Sequence, residues 1–202
     1  MASAVARAAL GVAALAVLLA GCRTAPAPVP GPGANAPWPE QQAALAKFDS
    51  YSLNGRVAVA ASGEGFSGTL RYQQQPNSSE LALDGPLGLG GMRVALEGDE
   101  FRMSTSSGEQ LAGAVARAEL EQRLGFALPI AELRWWMLGI PAPGEASVDA
   151  DAGSGEIRGF LQNGWKISID ARAAALGFAL PQRLTVTREG ARLKLLVDRW
   201  QP

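Results

Sequence analysis

Histidine is absent from this sequence, and cysteine occurs once, at Cys22. Without histidine the chain can hold neither a Ser-His or Cys-His dyad nor a histidine-rich metal site. One cysteine cannot form a disulfide within the chain. We therefore predict no catalytic residue, no metal and no cofactor. Scattered carboxylates could still form a glycosidase pair, which leaves a hydrolase open as one alternative.

Charge is scarce as well, with 18 Lys and Arg residues against 19 Asp and Glu residues. The formal net charge at pH 7 is only −1. Proteins that bind nucleic acid carry a strongly basic footprint, and this composition shows no sign of one. We therefore predict no nucleic-acid partner.

Long apolar runs are also missing. The run from Ala8 to Ala20 is shorter than the stretch of about 20 residues that a membrane-spanning helix needs. It follows Arg7, an arrangement typical of a secretory signal peptide. It ends in Leu19-Ala20-Gly21-Cys22, which resembles the bacterial lipobox, where a peptidase cuts before a lipid-modified cysteine. We predict a signal peptide at residues 1–21 and lipid, including palmitate, on Cys22. The alternative is an ordinary secreted protein whose signal contains a cysteine.

The residues after Cys22 indicate the destination and a tether. In Gram-negative lipoproteins an Asp after the cysteine usually signals retention in the inner membrane, and here that residue is Arg23. We therefore expect a lipid anchor in the inner leaflet of the outer membrane, with the protein facing the periplasm. The segment 22–39 is rich in Pro and Ala, which favours a semi-extended tether. One folded domain is expected over residues 40–202.

Hydrophobic periodicity predicts a mainly β domain. Helical spacing occurs at 40–48, after Pro39, and again at 111–124 and from Pro129 to about residue 138. Asn163-Gly164 between two alternating segments is a strong hairpin signal. About nine or ten strands with one polar face imply a curved antiparallel sheet or a partial barrel. The alternating segments are 53–59, 66–73, 81–83, 92–96, 101–103, 157–162, 165–170, 184–186 and 193–197.

Two short motifs have ordinary interpretations. Gly88-Leu89-Gly90 resembles the start of a dinucleotide fingerprint, but Arg93 occupies the position of its last glycine, which favours a flexible loop. Asp149, Asp151 and Glu156 could bind calcium, but their spacing does not fit an EF-hand, and a solvated turn is the better interpretation.

A set of ordered segments resembles the LolB family of outer-membrane lipoprotein receptors over nearly the whole chain after the signal. The segments are Leu53-Asn54-Gly55-Arg56, Gly85-Pro86-Leu87-Gly88, Leu124-Gly125, Pro129, Leu133 to Pro141, Gly164-Trp165-Lys166-Ile167, Leu180-Pro181, and Arg192-Leu193-Lys194-Leu195 before Trp200. The resemblance implies an unclosed antiparallel β-barrel of about 10–11 strands with helices as a lid. Its apolar cavity would receive the acyl chains of other lipoproteins. It also implies a soluble LolA-like periplasmic carrier as donor, and we expect a monomer.

The candidate cavity residues are inward-facing positions of the predicted strands and lid. For any one of them, ordinary core packing is the alternative to ligand contact. The set is Val57, Leu70, Leu83, Val94, Phe101, Leu133, Trp136, Ile167 and Leu193.

Leu87 lies between Pro86 and Gly88 in a loop with hardly any polar residue. The resemblance implies that Leu87 is an exposed tip that helps to insert cargo into the membrane, with Leu89 sharing that role. Gly90-Gly91 would make the loop mobile. A tucked turn residue is the alternative for Leu87.

The function implied by the resemblance is that of a receptor that accepts lipoproteins from the carrier and inserts them into the outer membrane, with a chaperone's role in protein transport. A structural or assembly lipoprotein that binds a protein partner through an apolar surface is the alternative. An envelope hydrolase is the second alternative, and the sequence supplies no recognisable residues for it.

Overall fold

The computed structural model describes residues 30–61, 63–85 and 90–202. The signal peptide, Cys22, and the loop residues Leu87 and Leu89 lie outside these ranges. The described chain forms one antiparallel sheet of eleven strands in the order β6-β5-β4-β3-β2-β1-β11-β10-β9-β8-β7. Each strand pairs with its neighbours in this order, and the described edges β6 and β7 are not paired with each other. This confirms the predicted unclosed antiparallel sheet.

Most of the strands show an alternation of buried and exposed residues, and tight turns join many of them. The strand bounds are Tyr51–Ala61 (β1), Glu64–Gln75 (β2), Ser78–Asp84 (β3), Met92–Glu97 (β4), Glu100–Thr105 (β5), Gln110–Ala112 (β6), Ser147–Ala150 (β7), Ile157–Gln162 (β8), Trp165–Ala175 (β9), Phe178–Arg188 (β10) and Ala191–Gln201 (β11).

Hydrophobic periodicity did not predict two of the eleven strands. All four residues of β7 are exposed, so no alternation of apolar and polar side chains marks this strand. The three-residue β6 contains Leu111, which the spacing assigned to a helix. Short edge strands need no buried face of their own, because backbone pairing with one neighbour holds them.

Helices cover the inner face of the sheet. The first, α1, is Trp38–Leu45, two residues earlier than predicted, and it buries Trp38 and Leu45. The second, α2, is Gly113–Leu124. A 3₁₀ turn at Ile130–Glu132 leads into the short α3, Leu133–Trp136. We call residues 113–142 the lid. Gly125 ends α2 with a φ of +78°, the left-handed conformation that glycine commonly supplies at the end of a helix.

The chain contacts the domain before residue 40. The amide groups of Gly31 and Gly33 donate hydrogen bonds to the carbonyls of Leu176 and Gly177, at 3.0 and 2.8 Å. Gln41, which is buried, donates to the carbonyls of Ala34 and Ala36. From Gly31 onward the predicted tether is therefore hydrogen-bonded to the domain.

Candidate functional site

The inner face of the sheet and the lid enclose an apolar cavity with a volume of about 60 Å³. Alternation explains its composition, because successive side chains of a strand point to opposite faces and the inward ones are apolar. Its lining residues are Val57, Val59, Leu70, Leu81, Leu83, Leu124, Leu128, Leu133, Trp136, Met137, Leu184, Val186, Leu193 and Leu195.

The cavity wall offers almost no polar group. Every lining side chain is Val, Leu, Met or Trp. Among them, the indole N–H of Trp136 is the one conventional hydrogen-bond donor, and it donates to Oε1 of Gln162 at 2.8 Å. Such a wall can bind an aliphatic group through burial and dispersion, and it holds no group that could act as a nucleophile or a general base.

Six of the nine candidate residues line this cavity: Val57, Leu70, Leu83, Leu133, Trp136 and Leu193. Val94, Phe101 and Ile167 are buried elsewhere in the core. Phe101 lies under the guanidinium of Arg117 from α2, at 4.4 Å from its ring centroid. Alternation identifies the inward face of a strand, but the helix packed on that face decides which residues reach the cavity. The sequence prediction missed other lining residues, such as Val59, Leu184 and Leu195, although the same alternation places them on the inner face.

The second half of the lid is held to the sheet by Gln162, at the end of β8. Oε1 of Gln162 accepts hydrogen bonds from Trp136 Nε1 and, at 2.9 Å, from the amide of Ala142. Nε2 donates to the carbonyl of Ala142 at 2.9 Å and to that of Glu145 at 3.5 Å. Because Gln162 is 3% exposed, these bonds satisfy groups that water cannot reach.

Two more polar side chains fasten the same segment. Oη of Tyr51 donates to the carbonyl of Arg134, and burial raises the pKa of this phenol well above its usual value. The guanidinium of Arg172, in β9, lies 3.5 Å from the carbonyl of Gly139 and 2.9 Å from the carboxylate of Glu156. Burial lowers the pKa of Arg172 to about 10, and Glu156 opposes that effect. Residues 133–142 are thus anchored by three strands.

Helix α2 is held differently. Its buried residues are Ala116, Leu120 and Leu124, and the helix packs on β5 and β6. Within the described chain, its side-chain hydrogen bonds come from Arg123, which contacts Glu119 of the same helix and Glu109 of the preceding loop. The two halves of the lid therefore differ in kind, since apolar packing and the Arg117 contact hold α2, whereas buried hydrogen bonds hold residues 133–142.

The acidic loop after β7 forms a solvated turn. Oδ1 of Asp151 accepts hydrogen bonds from the amides of Gly153 and Ser154, each at 3.0 Å, and Arg158 pairs with the other oxygen. The hydrogen bonds from Ser154 and Gly153 lower the pKa of Asp151 to about 2. Glu156 pairs with Arg172 instead. Among the described residues no three potential metal ligands converge.

The helices of the described chain are too short or too polar to cross a membrane.

Comparison with known proteins places this fold and cavity in context. Residues 49–200 match the family described as Outer membrane lipoprotein LolB. The chain is 33% identical over 186 residues to the Outer-membrane lipoprotein LolB of Nitrosococcus oceani, covering 92% of each chain. It is 32% identical over 190 residues to the protein of the same name from Stutzerimonas stutzeri, covering 93% of this chain and 92% of the other. Among solved structures, it is similar in fold to a DUF1329 family protein from Desulfovibrio piger, with a TM-score of 0.50, 9% identity, and coverage of 79% of this chain and 88% of that one.

Proposed function

The chain belongs to the outer-membrane lipoprotein LolB family, and we propose that it receives lipoproteins by taking their acyl chains into the apolar cavity. A member of this family is a receptor in lipoprotein localisation at the outer membrane, and not an enzyme. The single observation that carries the acyl-chain proposal is the wall of the cavity, whose lining consists of Val, Leu, Met and Trp. Moving an acyl chain into water costs about 0.8 kcal/mol for each CH₂, so cargo must pass from one apolar groove to another.

The cavity must enlarge before it can hold an acyl chain. Its volume of about 60 Å³ is smaller than the roughly 150 Å³ of an apolar protein cavity that accepts benzene. Leu124 and Leu128, at the end of α2 and just after it, cover the cavity. Because buried hydrogen bonds hold residues 133–142 and mainly apolar packing holds α2, we infer that α2 moves away to admit the chain.

The remaining parts of the proposal concern the membrane. Lipid at Cys22 would hold the receptor in the inner leaflet of the outer membrane, facing the periplasm. Leu87 and Leu89 would contact the bilayer during insertion of the cargo. The donor would be a soluble LolA-like carrier, and the receptor would act as a monomer. These roles rest on the lipobox, the Pro86-Leu87-Gly88-Leu89 sequence and membership of the family.

A charged residue in the cavity tests the acyl-chain proposal. Leu193 lines the cavity and is half-buried, so Leu193→Asp places a carboxylate where the acyl chain would lie. Leu161→Asp is the matched control, because Leu161 is also a strand leucine but is 51% exposed. We expect Leu193→Asp to weaken binding of a fluorescent lipopeptide at least tenfold and Leu161→Asp to leave it unchanged. Each variant's thermal unfolding is measured in parallel.

Equal lipopeptide binding by the folded Leu193→Asp protein would show that the cavity is not the site. Absence of lipopeptide binding by the unaltered protein would favour a structural or assembly lipoprotein that binds protein partners.

A further inference from the structure

The outer face of the sheet carries a hollow of about 820 Å³ across β2, β1, β11 and β10. Two small side chains lie next to each other in it, because Ala58 pairs with Ser67, and Ala58 pairs with Lys194 on its other side. Thr185 in turn pairs with Lys194. Small residues on adjacent strands leave a concave surface on a face of a sheet that otherwise carries long polar side chains. We call this surface the outer hollow.

Basic side chains surround the outer hollow. They are Arg56, Arg183, Arg192 and Lys194. The one carboxylate in its lining is Asp170, and Arg56 pairs with Asp198 at 2.8 Å. Within the described part of the chain, no carboxylate lies within ion-pair distance of Arg183, Arg192 or Lys194. The whole chain has a net charge of −1, so this excess of positive charge is a local feature.

The outer hollow adjoins the start of the segment 86–89. Gly85 is part of its lining. A Cβ on Gly68, another lining residue, would lie 3.4 Å from the Cα of Gly85. Whatever conformation residues 86–89 adopt, they therefore leave the sheet at the rim of the basic surface. A membrane in contact with Leu87 would therefore lie beside the basic surface.

The anchor limits how the domain can stand on a membrane. Gly31 is bonded to the turn between β9 and β10, so only the residues from Cys22 to Gly31 can span the gap to the bilayer. The nine residue steps from Cys22 to Gly31 reach at most about 32 Å when fully extended, and about 28 Å in the extended form that a Pro-rich segment favours.

Strand register gives the heights that this tether must span. Leu184 of β10 lies level with Val57 of β1, because both pair with Leu195. From Phe178 to Leu184 the strand rises about 20 Å, and from Val57 to Ala61 about 13 Å more. A domain standing on the hairpin that follows Ala61 would hold the tether's docking turn up to about 33 Å above the bilayer, a height that requires a nearly fully extended tether. A domain standing on the opposite end would lift the hollow about 20 Å from the lipid. A domain lying on its outer face keeps both the docking turn and the hollow close to the bilayer without stretching the tether.

We propose that the outer hollow docks on the phosphate groups of anionic phospholipids, so that the domain lies on this face of its sheet at the membrane. This inference deepens the proposed function and rests on it for the anchor at Cys22 and for membrane contact by residues 86–89. Near an anionic surface each basic side chain strengthens binding about fivefold, and salt screens the effect. Asp170 leaves the hollow net positive, since Arg183, Arg192 and Lys194 oppose it and Arg56 is paired with Asp198.

A single label in the hollow tests the orientation. Ala58→Cys places a thiol in the lining, and the native cysteine of the lipidated chain is occupied by its acyl group. The lipidated protein, carrying an environment-sensitive fluorophore at position 58, is reconstituted in phosphatidylcholine vesicles with or without phosphatidylglycerol. We expect the label to be shielded from an aqueous quencher several-fold better when phosphatidylglycerol is present. A label at Val115, which is 64% exposed on α2, should remain accessible in both.

Charge variants supply the matched comparison. Arg192→Gln combined with Lys194→Gln removes two basic residues from the hollow, and Lys47→Gln combined with Arg199→Gln removes the same charges from exposed positions outside it. The first pair should lose most of the shielding, and the second should retain it.

Three results would overturn the proposal. They are equal accessibility of the label on the two kinds of vesicle, equal loss of shielding in the two double variants, and shielding by an acidic carrier protein without vesicles, which would make the hollow a protein-docking site. Lipopeptide binding in solution is measured separately on each protein. Absence of lipopeptide binding by the unaltered protein would refute the cavity function, whereas the accessibility of the label would still report the orientation of the domain.

Discussion

Replacing Gln162 by Met tests how the lid is fastened. Methionine has nearly the length and shape of glutamine but forms no strong hydrogen bond, so Gln162→Met removes the anchor of Trp136 and Ala142 while filling the same space. Three buried bonds of 2.8 to 2.9 Å are lost, and the indole N–H and the amide of Ala142 lose their partner. At about 1 kcal/mol for each bond, with a further cost for each unsatisfied donor, the expected loss is about 3–5 kcal/mol.

The assay separates two consequences of this loss. If residues 133–142 belong to the rigid fold, the whole loss appears in unfolding, and Tm falls by about 10 °C for a domain of this size. Lipopeptide affinity of the folded protein then changes by no more than about twofold. If these residues are the moving part of the lid, the closed state alone is destabilised, and affinity rises by about 100-fold or more.

We expect the first outcome. Gln73→Met, at an exposed position of β2, is the control for adding a methionine to the sheet and should leave both Tm and affinity unchanged. An unaltered Tm for Gln162→Met would show that the buried bonds contribute nothing, and a rise in affinity would show that the segment we regard as fixed is the one that opens.

Four further predictions concern the anchor, the loop, the cavity and the acidic turn. Labelled palmitate should enter the unaltered chain and be absent from Cys22→Ala, and labelling of that variant would end the lipoprotein assignment of this residue. Leu87→Glu should keep its melting behaviour, accept cargo from the carrier and deliver it poorly to liposomes, whereas unfolding of the variant would make Leu87 a core residue. Lipopeptide should change tryptophan emission, and Trp136→Phe should remove much of that change, because the ring lines the cavity; an identical difference spectrum in the variant would contradict this. Since the folded pKa of Asp151, about 2, is below the ordinary value of 3.8, its turn is stabilised above about pH 4 and loses this contribution as the pH falls toward 2, which a side-chain NMR titration with Asp151→Asn as control would detect.

Local patterns in the sequence determined much of the fold. Alternation in segments such as 53–59 and 193–197 specified which faces of β1 and β11 are buried, and Asn163-Gly164 specified the hairpin between β8 and β9. These features follow from the period of two along a strand and from the backbone conformations that a two-residue turn requires, so neighbouring residues suffice to define them. The absence of histidine likewise limits the chemistry open to the chain, whatever its fold.

The site depended on contacts between residues far apart in the chain, which no local pattern records. Gln162 meets Trp136 across the lid, and this pairing exists only because α3 folds back over β8. Phe101 has the same alternation as the cavity residues but lies under Arg117, so packing by α2 decided its place. The basic residues of the outer hollow lie on β1, β11 and β10, which are neighbours in the sheet. In the sequence, Arg56 and Lys194 are more than a hundred residues apart, in a chain of nearly balanced charge. Sequence sets which face of each strand is buried. Tertiary structure alone sets how deeply each side chain is buried, which residues the lid contacts and which distant charges cluster, because these depend on which elements lie against one another.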